Sequence, residues 1–213
     1  MAPRPYTLKK RAQLAEDTRR RILDAIVELH AQRGVAATTT ADIAMRADVA
    51  VATVGRYFPS VGEMVQACGA HLRKMVPLPT DAIFDGADDV ETRVRILVDR
   101  WFAFHEGLAP WSRHAHADAG RIPALSASLS TMKRHHEATV RLAFASFDLP
   151  EPIVQVTIAL TGPFYWRSIV DTGLQSAEAK VATTEMLLAW IRRPSLIATT
   201  GVPSHADKHQ RNR

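Results

Sequence analysis

The ten residues VATVGRYFPS, positions 51–60, carry side chains whose chemistry suits the edges and backbone of a nucleic acid. Arg56 can donate two hydrogen bonds to the O6 and N7 atoms of guanine, while Val51 and Ala52 can touch the methyl group of thymine. The hydroxyl of Tyr57 can reach a phosphate. A solvated arginine or a phosphate contact would explain Arg56 equally well, so the pattern predicts a contact surface and leaves the base open.

Hydroxyl and basic side chains upstream of that segment fit the same chemistry. Thr39 and Thr40 stand at a predicted helix N-terminus, where the helix dipole favours a phosphate, although capping alone would also account for them. One threonine can serve both purposes. The further phosphate-neutralising positions are Arg46, Lys9, Lys10 and Arg11. Such contacts add salt dependence to binding and carry no sequence preference.

The positive charge of the chain is concentrated near its beginning. The 213 residues carry a formal net charge of +5, and residues 1–60 hold 10 Lys and Arg residues against 6 Asp and Glu residues. This segment therefore has a net charge of +4, and the rest of the chain has +1. A polyanionic partner and a merely solvating basic surface explain the asymmetry equally well.

Three helices, the last two short and closely joined, are predicted around these side chains. Apolar residues at helical spacing place the first helix between Asp17 and Gly34, the second after Thr39 or Thr40, and the third over residues 51–58. This is the layout of a helix-turn-helix. A generic helical hairpin normally has longer helices and gives no reason for a basic leader.

Gly55 interrupts the third helix, where a glycine costs about 1 kcal/mol relative to alanine. Val54 and Phe58 nevertheless keep the i, i+4 spacing of an inward face, with Tyr57 at its edge. The segment is therefore predicted to be helical, with Gly55 on its outer side beside Arg56.

The rest of the chain shows helical periodicity and no strand pattern, which predicts an all-α fold of about nine helices. A fourth helix is capped by Ser60 and ends near Val76. After a loop over 81–90, the remaining helices are predicted at about 90–108, 111–119, 124–147, 151–171 and 176–192. A flexible basic arm is expected over 1–15 and a disordered tail over 194–213.

Residues 34–60, GVAATTTADIAMRADVAVATVGRYFPS, resemble the characteristic segment of the TetR family of bacterial transcriptional regulators. The positions that match the family pattern are Gly34, Thr39, Thr40, Ile43, Ala44, Ala47, Val49, Thr53, Tyr57 and Phe58. Beyond the first sixty residues the resemblance is one of architecture, and it extends to about residue 193.

This resemblance implies both a domain plan and a function. The domains would be the arm at 1–15, a helix-turn-helix DNA-binding domain at 16–60, a ligand-binding and dimerisation domain at 61–193, and the tail at 194–213. The function would be that of a homodimeric repressor, bound to double-stranded operator DNA and released by a small-molecule inducer. Thr53 matches a family position that hydrogen-bonds phosphate, and 51–58 would be the recognition helix.

Four positions depart from the family pattern. Asp48 stands at the glycine of the turn and Ala50 at the usual serine. Gly55 replaces a tyrosine that commonly contacts DNA, and Val61 replaces a lysine that commonly meets phosphate. Each departure removes a contact or a cap. A ligand-binding protein of the same fold, with weakened or lost specific DNA binding, is therefore the alternative.

The resemblance also implies an inducer pocket among the middle helices. The candidate lining residues are Trp101, Phe104, His105 and Trp111. Core packing accounts for most aromatic residues in such positions, so we expect two or three of these to line a pocket at best.

Two histidine pairs, His114 with His116 and His135 with His136, raise the question of a metal. Neither pair has the i, i+4 spacing that directs two ligands from one helix face, and no Cys or carboxylate partner is evident. No metal site and no cofactor are therefore predicted.

The last two predicted helices resemble the pair that forms the dimer interface of the family. The candidate interface residues are Ile153, Val156, Leu160, Phe164, Val181, Thr184, Leu187, Leu188 and Ile191, with Ile169 completing the first stripe. Two such helices from each subunit would make a four-helix bundle. Packing within a single chain is the alternative explanation of the same stripes.

Cysteine usage and the lack of sorting patterns indicate a cytoplasmic protein. The single cysteine, Cys68, excludes an internal disulfide and is expected to behave as a small buried apolar residue. Neither a membrane span nor a secretory signal is predicted. No nucleophile elbow, phosphate-binding glycine loop or metal cluster is found, so no enzyme activity is predicted.

Overall fold

The structure, a computed structural model, describes residues 5–192 of the chain. Within this range it contains nine α-helices and no strand, so the prediction of an all-α fold of about nine helices is confirmed. The helices are α1 Pro5–Arg33, α2 Thr40–Ala47, α3 Val51–Tyr57, α4 Val61–Met75, α5 Val90–Asp118, α6 Pro123–Phe144, α7 Glu151–Leu160, α8 Pro163–Val170 and α9 Ser176–Ile191, with a short 3₁₀ helix at Asp81–Phe84. The expected tail at 194–213 lies outside the described residues.

Over residues 5–192, none of the helices is both long enough and apolar enough to cross a membrane. The chain divides into two compact units. The first comprises the chain up to Pro79 together with Ala103–His136, and the second comprises Thr80–Phe102 together with the chain from Glu137. The division therefore passes through α5 and α6.

The first unit is built around one apolar cluster from α1 to α4. The buried members are Ile22, Ala25, Ile26, Val27, Leu29, Ile43, Ala44, Ala47, Val54, Phe58, Met64 and Cys68. Burial raises the pKa of the Cys68 thiol to about 12, so this cysteine is an inert apolar side chain, as predicted. Two helices of this unit begin at a side-chain cap: Thr39 caps α2 and Ser60 caps α4.

The second unit packs the N-terminal half of α5 and the end of α6 with α7, α8 and α9. Its largest fully buried side chains are Trp101, Phe102, Leu97, Ile153, Leu187 and Leu188. Arg93 on α5 contacts the end of α6. Its guanidinium donates hydrogen bonds to the carbonyls of Leu142 and Ala143 in the last turn of that helix. A cation is favourable at a helix C-terminus.

The first helix is longer than the sequence analysis predicted. It begins at Pro5 and not near Asp17, so the described part of the expected flexible arm is helical. Proline is well tolerated in the first turn of a helix. The residues that follow, KKRAQLAE from Lys9 to Glu16, are strong helix formers without a glycine or proline.

Two further boundaries differ, both at prolines. The predicted separate helix at 111–119 is part of α5, which continues through Pro110. An interior proline costs about 3 kcal/mol, and the Trp111 side chain that follows it helps to offset this cost, because it hydrogen-bonds to α1 and packs on the apolar cluster. Conversely, the predicted helix over 151–171 is two helices, because Pro163 lacks an N–H and its ring would clash with the carbonyl of Ala159.

Candidate nucleic-acid interface

The N-terminus of α2 is a complete capping box. The Thr39 hydroxyl accepts a hydrogen bond from the N–H of Asp42 at 3.1 Å and donates to its carboxylate at 2.7 Å, while the N–H of Thr39 donates to the same carboxylate at 3.0 Å. These Thr39 hydrogen bonds, helped by Arg33 at 2.9 Å, hold the pKa of Asp42 below its usual range. Capping therefore already uses the Thr39 hydroxyl, while Thr40 lies half-buried beside it.

The turn between α2 and α3 is formed without glycine. Asp48 ends α2 at φ +52 and ψ +57, the left-handed region that usually favours glycine and that Asp tolerates better than most residues. The N–H of Val49 donates to the carbonyl of Ala44 at 3.0 Å and so closes the helix end. The departure at Asp48 thus keeps the geometry of the turn.

The recognition segment is a helix with one buried and one open side. Val54 and Phe58 are almost completely buried, as the spacing predicts. A Cβ placed on Gly55 would meet no atom within 4 Å, so Gly55 faces outward, as predicted. Val51 and Ala52 are exposed on this outer side, and Val51 is 52% exposed.

Arg56 is the one charged residue of α3. Its side chain is exposed, and the guanidinium carbon lies 5.1 Å from the centre of the Tyr57 ring, a cation–π contact. Tyr57 and Thr53 are half-buried at the edges of the same helix. The outer face of α3 therefore presents three residues without hydrogen-bonding side chains and one arginine.

The structure places Arg46 against α1. Its guanidinium forms an ion pair with Glu28, and Arg21 donates to the carbonyl of Ala47 at 3.4 Å. These residues line an open surface pocket of about 290 Å³ together with Asp24, Ala25 and Asp48. The Arg46–Glu28 pair is half-exposed and contributes little to stability, but a phosphate would compete with Glu28 for the Arg46 guanidinium.

The other basic residues named from the sequence, Lys9, Lys10 and Arg11, lie exposed in the first turns of α1. Because the backbone here is helical, the directions of these three side chains are fixed relative to α1, whereas a flexible arm would not fix them.

Sequence reasoning missed a connection between α5 and the loop after α1. The Asp118 carboxylate accepts a hydrogen bond from the N–H of Ala36 at 2.9 Å. Trp111, predicted as a pocket residue, donates from Nε1 to the carbonyl of Val27 at 2.8 Å and packs on the cluster of the first unit. Sequence separations above 80 residues left no local signal for either contact.

The remaining pocket candidates are core residues of their own units. Trp101 is fully buried in the second unit. Phe104 and His105 are buried in the first unit, where the ring of His105 lies 6.4 Å from that of His136. The rings of Phe104 and His105 lie 6.0 Å apart, and a pocket lined by the four predicted residues stays a prediction.

The histidines of α6 are held within the first unit. Burial, and then the charges of His105 and His135, lower the pKa of His136 to about 3. His135 lies with Nε2 2.6 Å from the carbonyl oxygen of Pro79. Over residues 5–192, no group of three His, Cys, Asp or Glu side chains is placed to hold a metal ion.

The predicted dimer stripe divides between the interior and the surface. Ile153, Thr184, Leu187, Leu188 and Ile191 are buried within the single chain, because α9 packs this face on α7 and α8. These side chains pack within the chain, and a place for them in a dimer interface stays a prediction. Val156, Leu160 and Ile169 are half-buried, whereas Phe164 is 72% and Val181 64% exposed.

Comparisons with known proteins agree with this architecture. Residues 22–68 match the family model of the bacterial regulatory proteins, tetR family. The chain resembles the multidrug binding protein EbrR, solved with imidazole, at 20% identity and a TM-score of 0.53, covering 81% of this chain and 89% of that one. It also resembles NalD, the secondary repressor of the MexAB-OprM multidrug efflux pump in Pseudomonas aeruginosa, at 18% identity and a TM-score of 0.55, covering 84% and 96%. At such identities these structures show a shared fold, and no curated protein sequence matches the chain.

Proposed function

We propose that this chain is a member of the tetR family of bacterial regulatory proteins, whose family model matches residues 22–68, and that it is a homodimeric repressor that a small-molecule inducer releases from operator DNA. The family consists of DNA-binding regulators and not of enzymes. The observation that carries the proposal is the open outer face of α3, which ends in an exposed arginine. A recognition helix must present such a face to the major groove.

The surroundings of α3 support DNA as the partner. Lys9, Lys10 and Arg11 are exposed on α1, and phosphate contacts from such residues supply affinity without sequence preference. Arg56 is the candidate base contact, since an arginine can bind guanine through two hydrogen bonds. Thr40, Thr53 and Tyr57 are the further phosphate candidates, and Thr39 can add a contact beyond its capping role.

The dimer is proposed to form through the exposed apolar side chains of the last two helices. Phe164 on α8, with Val181 and Met186 on α9, would pack against the same residues of a second chain. Half-buried Val156 and Leu160 would extend this surface. Two-fold symmetry suits an operator made of two half-sites.

The inducer is proposed to be a drug-like organic molecule that acts in the cytoplasm. EbrR is described as a multidrug binding protein, and NalD as a repressor of a multidrug efflux pump. Phe104 and His105, with Trp101 and Trp111, remain the candidate lining residues. A ligand that binds the DNA-free state more tightly must lower DNA affinity by the same coupling free energy.

The deciding experiment measures binding to the DNA upstream of the protein's own coding sequence. The full chain should prefer this duplex to a scrambled duplex by at least about a hundredfold. Arg56→Ala should cost about 1–3 kcal/mol and relax the preference at one base position in each half-site. Arg113→Ala is the matched control, because Arg113 is an exposed arginine on α5. Equal binding to both duplexes would refute the proposal.

The alternative function is ligand binding without specific DNA recognition. It is favoured by the lack of hydrogen-bonding side chains at Val51, Ala52 and Gly55 and by the pairing of Arg46 with Glu28. A protein of this kind would bind organic ligands, bind DNA only through salt-sensitive charge contacts, and show no preference between the two duplexes.

A further inference from the structure

We propose that α3 recognises thymine through its C5-methyl group, with Val51 and Ala52 as the specificity-determining residues and Gly55 as the gap that lets the helix approach the base edges. This inference rests on the proposed function, since it names the chemistry that the same surface reads in DNA. It follows from what the outer face of α3 contains and from what it lacks.

The outer face of α3 is open and apolar. Val51 is 52% exposed, and Ala52 and Gly55 are also exposed. None of the three has a side-chain donor or acceptor. The inward residues Val54 and Phe58 already fill the core, so packing within the chain does not account for a valine directed to solvent.

Among the groups that base edges present in the major groove, only the methyl group of thymine suits these apolar side chains. In the major groove, guanine, adenine and cytosine are distinguished by hydrogen-bond donors and acceptors, whereas thymine adds a methyl group. Val51 and Ala52 cannot satisfy a donor or acceptor, but they can bury a methyl group. An apolar contact at these positions therefore selects T·A pairs.

Gly55 permits the close approach that a methyl contact needs. It lies one turn after Val51, on the same side of the helix, and a Cβ there would meet open space. Among residues 5–192, no contact requires a glycine at this position. Because glycine has no side chain, the helix backbone can come closer to a surface that faces it.

The positive charge around this apolar face favours DNA as its partner. No acidic residue lies on α3, and Arg56 stands directly beside Gly55. The N-terminal 60 residues carry a net charge of +4. An apolar patch beside an arginine, on a basic segment, complements a polyanion that carries methyl groups in its groove.

The test begins with an in vitro selection by the full chain from duplexes with a randomised central region. Each thymine of the selected duplex is then replaced by deoxyuridine, which pairs identically and lacks the methyl group. At one or two positions per half-site, we expect affinity to fall about fourfold for each methyl group removed. At these positions, a 5-methyl-dC·dG pair should bind more tightly than a dC·dG pair.

A variant pair assigns the contact to α3. Val51→Ala should reduce the deoxyuridine effect at one thymine from about fourfold to less than about twofold, as a double-mutant cycle measures. Val61→Ala is the matched control, because Val61 is 50% exposed but lies at the start of α4. It should leave the deoxyuridine effect unchanged.

The outcomes separate this inference from the proposed function. A selection that enriches no sequence overturns both, and would leave the apolar face to a partner other than DNA. A selected sequence whose affinity is indifferent to deoxyuridine at every thymine overturns methyl recognition and leaves the repressor proposal standing. A deoxyuridine effect that survives Val51→Ala overturns the assignment to that residue.

Discussion

Gly55 and Gly34, two glycines of the first unit, occupy opposite environments. Gly55 is an exposed helical position with open space around it. Gly34 has φ +84, and a Cβ there would lie 2.6 Å from the Asp118 carboxylate and 3.1 Å from Cβ of His114. The same substitution should therefore have opposite effects on stability at the two positions.

Gly55→Ala should stabilise the free protein by up to about 1 kcal/mol, because alanine has the higher helix propensity. Gly34→Ala should destabilise it by at least about 1–2 kcal/mol, because a side chain is strained at positive φ and also meets Asp118. Urea unfolding monitored by circular dichroism measures both. If Gly55→Ala lost stability, the outer face of α3 would not be open as described.

Two buried histidines should make stability depend on pH. Burial lowers the pKa of His30 to about 4, against a smaller opposing effect of Asp118, and the pKa of His136 is about 3. An unfolded histidine titrates near 6.5. Between these values the unfolded chain binds protons that the folded chain does not, so stability is lost as the pH falls.

The free energy of unfolding should fall by up to about 1.4 kcal/mol per pH unit for each of the two histidines as the pH decreases below about 6.5. For His30 the loss should level off near pH 4. Urea titrations between pH 7 and pH 4.5 measure this slope. In His30→Asn the slope should be roughly half that of the wild type. An unchanged slope in this variant would contradict the assignment to His30.

At the scale of elements, the C-terminal half of α5 is attached to the helix-turn-helix by two long-range contacts. Trp111 bonds to the backbone of α1, and Asp118 bonds to the N–H of Ala36 in the loop that leads to the Thr39 cap of α2. The loop that positions α2 is therefore held by a residue far along the chain. A change at Asp118 should therefore affect α2 and α3, the helices that we propose bind DNA.

Asp118→Ala should destabilise the protein by about 1–2 kcal/mol, because the Ala36 N–H loses a charged acceptor. It should also weaken DNA binding. Asp118→Asn keeps an acceptor oxygen and should restore most of both. Asp85→Ala, at an exposed aspartate of the second unit, is the control and should change stability by less than about 0.5 kcal/mol. An Asp118→Ala variant as stable and as active as that control would show that the contact is not needed.

Some elements could be predicted from local signals in the sequence, and others could not. The boundaries of α2, α3 and α4 follow from capping residues and apolar spacing within a few positions, as at Thr39 and Ser60. The continuation of α5 through Pro110 depends on tertiary packing, which a local rule for proline cannot include. The outward position of Gly55 was predictable because Val54 and Phe58 define the buried side of a single short helix.

For the molecule as a whole, local sequence signals were likewise not enough to predict the proposed dimer surface. Periodicity identified an apolar stripe on α9 but could not decide between core and interface, and Leu187 proved to be buried within the chain. Ion pairs join the outer parts of α9 and α5: Lys180 with Asp99 at 2.7 Å and Arg192 with Glu91 at 2.5 Å. Among the described residues of α8 and α9, the exposed large apolar side chains that a partner could contact are Phe164, Val181 and Met186.

The double variant Phe164→Glu with Val181→Glu should therefore be a folded monomer. Both side chains are largely exposed, so the fold should tolerate charge there, whereas four like charges would meet in the dimer. Sedimentation measures the association, and circular dichroism checks the fold. Met75→Glu, at an exposed methionine of the first unit, is the control and should remain a dimer.

Leu187→Glu should instead unfold the protein, because it buries an unpaired charge. Operator affinity of the monomeric variant should fall steeply, since each chain then engages one half-site. A double variant that still sediments as a dimer would place the interface elsewhere on the chain.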